Sequence, residues 1–325
     1  MEEQVESEWE NELAESIIMF CATSSDATAI VVDGTAVRKK NRYVLISGGF
    51  DSSTTEIYDS TNYSVKTGPS MRFSRYNHAS VTLPDGDVAM FGGYNFKRTI
   101  PQLSFCEVFN VKSNSFYEIG DMLERRNGTA AVLLPNGLVL LIGGTDGSKW
   151  LKSCELYNPA NKTFSRSKAK LMTGRTNHSA SLLPDGTVLV CGGWNGNYVF
   201  HTTEIYDPTS DSFSAGTSMT VARTGHTATT LEDGRILLAL GENGDSSAST
   251  ELYDPATDSF TSGPTMLVAR YGHFSCLLPD GRVLIGGGDI KATTQTTEIF
   301  DPTTYSVTNG FHLRSAQSRA SAALF

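Results

Sequence analysis

The sequence predicts an all-β protein: one six-bladed propeller with four antiparallel strands in each blade, closed by a terminal strand. Three recurring elements carry that prediction. A glycine pair ends a short apolar run at Gly48-Gly49, Gly92-Gly93, Gly143-Gly144, Gly192-Gly193 and Gly287-Gly288, with Leu240-Gly241 in the fifth place. A tight turn precedes the run, as in Leu83-Pro84-Asp85-Gly86 and Leu183-Pro184-Asp185-Gly186. A strand of pattern Glu, apolar, aromatic, Asp or Asn follows it, beginning at Glu56, Glu107, Glu155, Glu204, Glu251 and Glu298. Six copies spaced 44 to 51 residues apart fit a propeller, whose blades are each too small to bury their own faces and are stable only when stacked.

Within a unit, each element has a physical reason. The first strand is entered through Arg-x-x-His, at Arg75 to His78, Arg175 to His178, Arg223 to His226 and Arg270 to His273, while Thr129 replaces the histidine after Arg126. Asp-Gly and Asn-Gly then supply the positive φ angles of a tight hairpin. The second strand, such as Val188-Leu189-Val190-Cys191, is apolar throughout and reads as buried on both faces. The third strand carries the Glu, and a short fourth carries Val65, Phe116, Phe164, Phe213, Phe260 or Val307.

The glycine pair followed by Glu-x-Tyr-Asp-Pro, as in Glu204 to Pro208 and Glu251 to Pro255, resembles the Kelch repeat in the variant found in the galactose oxidase propeller. The resemblance covers nearly everything after about residue 27. Blades are expected at approximately 27–71, 72–122, 123–172, 173–219, 220–266 and 267–313. Two segments compete to complete blade one: a stretch from Met19 through Val32, and the chain end, a degenerate copy of the Arg-x-x-His strand. Kelch propellers often close with the C-terminal strand, and that resemblance favours 318–325. Residues 1–26 form an acidic extension in which Glu12, Leu13, Ile17 and Ile18 permit a short amphipathic helix.

Composition narrows the function. A formal charge of -9 argues against nucleic acid and membrane surfaces, whose phosphates call for a basic face. The acidic start and short apolar stretch Ile17 to Phe20 lack the features of a secretory signal. Five scattered cysteines lack metal-site or redox-pair spacing, which suits reduced thiols in a cytoplasmic protein. A monomer is expected. The resemblance extends to copper oxidases and to iron-dependent plant specifier proteins, but neither metal-site pattern is present, so no metal and no cofactor are expected.

Strand direction puts the loop after each glycine pair on the same face as the Arg-x-x-His entry, and the Pro-Asp-Gly turns on the opposite face. Ligands are expected on the loop face. Two readings of the arginines compete: Arg75, Arg175, Arg223 and Arg270 as a cationic rim for an anionic ligand, or as internal partners of the repeated glutamates across the blade interface. Departures from the repeat are the better evidence. The position after the glycine pair holds Phe50, Tyr94, Thr145, Trp194, Glu242 and Asp289 in turn. Phe50, Tyr94 and Trp194, with Tyr198 and His201 from the loop of blade four, are aromatic contacts for a protein, peptide or small polar ligand. Glu242 and Asp289, on adjacent blades, would serve as acid and base if the protein were a cytosolic enzyme acting on a sugar or small organic acid, as an isomerase, mutarotase or lyase. The resemblance implies a binding module first, since many Kelch propellers are protein-binding adaptors.

Overall fold

The computed structural model describes residues 31–32, 35–36, 42–49, 52–289, 294–316 and 318–325. Phe50 and the extension 1–26 therefore lie outside the described residues. Six four-stranded antiparallel sheets form the blades. In blade four, Ser179–Leu182, Val188–Cys191, Thr203–Asp207 and Ser212–Ala215 pair in chain order from the axis outward. Blades two, three, five and six repeat this order, and blade one draws its innermost strand, Ser321–Leu324, from the chain end. That strand pairs with Tyr43–Ser47 in the register Ser321 to Ser47 and Leu324 to Val44. Closure by a terminal strand is thus realised at the C-terminus. Val31–Val32 instead makes a small hairpin with Thr35–Ala36.

The second strand of a blade is buried on both faces, and almost wholly apolar, because it faces two neighbours. Side chains alternate between sheet faces, so Ala89 and Phe91 pack toward Leu133, Leu141 and Tyr157 of blade three. Val88 and Met90 pack the other way, against Leu45, Ile57 and Ala323 of blade one. The core is therefore divided among the blade interfaces. The aromatic residue of the third strand fills the same seam: Tyr157 lies 5.5 Å from Phe91 and 4.8 Å from Phe164, ring to ring.

The first glycine of each pair is demanded by a close approach. Gly92 has φ +62°, and a Cβ there would lie 2.3 Å from the Arg126 carbonyl oxygen. Leu240 holds the same left-handed conformation, φ 61°, where the repeat elsewhere uses glycine, a strain of about 1 kcal/mol or more.

Candidate functional site: the loop face around the axis

The entry to each first strand meets the loop that follows the glycine pair through a short antiparallel bridge. Tyr76 pairs with Tyr94, Asn127 with Thr145, Thr176 with Trp194, Thr224 with Glu242 and Tyr271 with Asp289. The positions where the blades differ therefore lie on the same face as the Arg-x-x-His entries.

The arginines, however, are interior groups and form no rim. Arg75, Arg175, Arg223 and Arg270 are at most 1% exposed. Arg175 donates to the Gly192 and Thr202 carbonyls, at 2.8 and 3.0 Å, and to Glu204 Oε1 at 2.8 Å. Glu204 also accepts from the backbone N–H groups of Met172 and Thr173. The pairs Arg75 with Glu107, Arg126 with Glu155, Arg223 with Glu251 and Arg270 with Glu298 repeat this arrangement. Each pair lies within one blade and not across an interface, because the arginine leads into the first strand of the sheet whose third strand carries the glutamate. Charges this deeply buried need such partners, and these guanidinium groups are out of a ligand's reach.

The histidines serve the blade boundary. His226 Nε2 lies 2.8 Å from Ser179 Oγ of blade four, and His273 Nε2 lies 2.9 Å from Thr227 Oγ1 of blade five. His78 Nε2 reaches Ser321 Oγ and Ser47 Oγ of blade one, at 2.7 and 3.0 Å. Burial, reinforced by the arginine nearby, pushes His78, His178 and His226 down to about 3. They are neutral structural groups at ordinary pH.

Between the bridges and the histidines runs a closed ring of backbone hydrogen bonds. Arg319 N–H donates to Gly272, Gly272 to Gly225, Gly225 to Asn177, Asn177 to Gly128, Gly128 to Asn77 and Asn77 to Arg319, over 2.6 to 3.0 Å. All six residues are left-handed, with φ between 51° and 65°. Left-handed backbone favours Gly and tolerates Asn, and Arg319 is the exception. Its guanidinium lies 5.7 Å from the Tyr76 ring and 5.8 Å from the Tyr271 ring, so one cation sits between two aromatics at the place where the ring closes. Sequence reasoning missed Arg319, Tyr76 and Tyr271. The usable signal was the alignment of Gln317 to Ala320 beneath Arg-x-x-His, which puts an arginine where the other copies have Gly or Asn.

Around this centre the face is divided. Over blades five, six and one, burial raises the Glu242 carboxyl, Arg319 opposes that rise and Asp289 adds to it. Asp289 Oδ2 accepts a hydrogen bond from Ser318 Oγ at 2.6 Å. The structure thus brings Glu242 within electrostatic reach of both Asp289 and Arg319. Over blades two to four the surface is aromatic. Tyr94 packs on Tyr76 and Phe96 at 5.1 and 4.9 Å. Trp194 meets Trp150 edge to face at 5.8 Å, and a Cβ on Gly196 would strike the Trp150 ring. Trp194 is 39% exposed and Tyr198 68%, and His201 is exposed beside them. Among the described residues no group of three or more His, Cys, Asp or Glu is arranged to hold a metal ion.

Comparison with known proteins agrees with this architecture. The Kelch motif family matches residues 126–168 and 175–220, which are blades three and four. The spermatocyte protein spe-26 of Caenorhabditis elegans is 35% identical over 95 residues, 28% of this chain and 16% of that protein. The Kelch repeat-containing protein kel-10 of the same organism is 26% identical over 141 residues, 41% of this chain and 24% of its own length. The chain thus spans under a quarter of the length of these relatives. The solved structure of YjhT superposes with a TM-score of 0.65 over 76% of this chain and 86% of that one, at 10% identity, a likeness of fold. The chain is a Kelch-repeat β-propeller.

Proposed function

We propose that the protein is a binding module that grips a protein or peptide partner on its loop face. One observation carries this reading: the loops of blades two to four hold out Phe96, Trp150, Trp194 and Tyr198, between 38% and 68% exposed, on a scaffold whose repeated arginines, histidines and glutamates are buried. Exposed aromatic residues in loops are the composition of interface anchors, and Kelch propellers generally bind protein partners. The buried thiols of Cys106, Cys154 and Cys191, none of them in a disulfide among the described residues, support a reducing compartment such as the cytoplasm. No helix of the described residues is long and apolar enough to cross a membrane. Quantitative co-purification from cells producing a tagged protein tests the reading. Trp194→Ala with Tyr198→Ala is expected to abolish recovery of specific partners; unchanged recovery would refute it.

A second reading rests on the carboxyl groups of blades five and six. Burial raises Glu242 and the neighbouring Asp289 raises it further, the arrangement by which one of two carboxyls keeps its proton and acts as acid while the other acts as base. Arg319 would anchor an anionic substrate beside them. Turnover in a metabolite screen that vanishes in both Glu242→Gln and Asp289→Asn would establish it, and turnover untouched by either would remove it.

A further inference from the structure

A second group of departures converges at the outer edge of blade two. Where blades three, four and six place Leu123, Met172 and Leu267 at the backbone N–H that caps the repeated glutamate, blade two places Arg72. The loop insertion of the same blade brings Lys97, Arg98 and Ile100, and Arg125 approaches from the entry to blade three. Together they line a cleft of about 650 Å³. Its walls hold the four cations Arg72, Lys97, Arg98 and Arg125 against the two carboxylates Glu118 and Asp121, a local excess of positive charge on a chain of net charge -9.

Two of the cations, Arg72 and Arg98, are held against an aromatic ring. Phe73 stands edge to face on Phe105, ring centroids 5.0 Å apart. The Arg98 guanidinium lies 5.0 Å from the Phe73 ring and that of Arg72 lies 5.5 Å from it. Arg72 pairs with Glu118, and Asp121 accepts from Ser104 Oγ. Among the described residues, no carboxylate pairs with Arg98 or Arg125. The Arg98 guanidinium, stacked on Phe73 and lacking a carboxylate among the described residues, forms with Arg125 on the same cleft wall a receptor for carboxylates, which guanidinium groups meet in a bidentate fork.

We propose that this cleft binds an acidic peptide segment, with glutamate or aspartate side chains on Arg98 and Arg125 and an interspersed apolar side chain on the Phe73 and Ile100 shelf. A bare inorganic anion would leave that shelf, with Ile100 50% exposed, uncovered. The site is separate from the Trp194 and Tyr198 surface, and the two succeed or fail independently.

Fluorescence polarisation with the full chain tests it, using the labelled peptide Glu-Glu-Leu-Glu-Glu-Trp-Glu-Glu and its all-glutamine counterpart as probes. The acidic peptide is expected to bind, to weaken with added salt, and to lose at least tenfold in affinity in Lys97→Ala/Arg98→Ala and in Phe73→Leu, while Trp194→Ala leaves it unchanged. Both positions of the double variant are exposed, so its fold is expected to survive. Absence of binding, equal binding of the glutamine peptide, insensitivity to Lys97→Ala/Arg98→Ala, or tighter binding of a single-stranded oligonucleotide of the same length would each overturn the proposal.

Discussion

Ser179 Oγ and His226 Nε2 meet at 2.8 Å across the boundary between blades four and five, and this contact explains where the repeat keeps its histidine. The hydroxyl is the first residue of one inner strand and the histidine precedes the next. Where the hydroxyl is absent, at Ala79, the following blade has Thr129 in place of histidine, and Thr129 Oγ1 turns to the Ile142 carbonyl at 2.9 Å. Where Phe274 fills the position, the next copy has Ala320.

His178 breaks the pattern, since Ala130 faces it. Its Nε2 has no well-aligned hydrogen-bond partner among the described residues: the nearby Ile142 carbonyl is shared with Thr129. A buried donor or acceptor left without a partner costs about 1–3 kcal/mol, and a hydrogen bond contributes about 1 kcal/mol net. Ala130→Ser is therefore expected to stabilise the protein by about 0.5–1.5 kcal/mol in urea unfolding. An equal loss in Ala130→Ser would show that the hydroxyl does not reach the ring.

The histidines also set a pH dependence. His226 takes up a proton near 6.5 when unfolded and only at about 3 when folded, so below pH 6.5 unfolding absorbs a proton. The stability it contributes is complete above pH 6.5 and is lost as pH falls toward 3, at up to about 1.4 kcal/mol per pH unit. His78 and His178 behave alike. Denaturant midpoints are expected to fall steadily from pH 7 to pH 5, with a slope smaller by about one proton in His226→Asn than in the parent.

Within blade four, Arg175 and Glu204 form a buried ion pair, 1% and 3% exposed in their side chains. Removing one member strands the other. Glu204→Met and Arg175→Met are each expected to cost about 3–5 kcal/mol, and the double change Arg175→Met/Glu204→Met to recover part of that loss. Calorimetry of the four proteins checks this, and strictly additive losses would show that the two charges stabilise independently.

At the closure point, Arg319 opposes the rise of the Glu242 carboxyl. Arg319→Gly keeps the left-handed backbone, φ 57°, at no cost and removes the charge. The Glu242 carboxyl is expected to titrate at higher pH in this variant, followed by NMR of the side-chain carbon. No upward change would place Arg319 outside its electrostatic reach.

Most of the fold was legible because each blade states it again: glycines where a Cβ would strike a carbonyl, and apolar strands where two neighbours press. The site was legible only in part. Repetition marked the arginines without saying whether they face a ligand or the interior, since both uses recur in every blade. Only three-dimensional placement showed Arg175 spending its donors on Gly192, Thr202 and Glu204. Arg319 went unseen because its copy had lost both the arginine and the histidine that mark the others. Trp194, Tyr198, Glu242 and Asp289 were visible because the blades disagree there.

The claim that the loop face of blades two to four is the binding surface is tested most directly by site-specific photo-crosslinking. A photoreactive phenylalanine replaces Tyr198 on the loop face or Tyr63, which is 56% exposed and hydrogen-bonded to Arg282 at the Asp280-Gly281 turn of the opposite face. Discrete partner adducts are expected from position 198 and are expected to disappear in Trp194→Ala, with none of those adducts from position 63. The same adducts from both positions, or adducts at 198 that persist without Trp194, would contradict it.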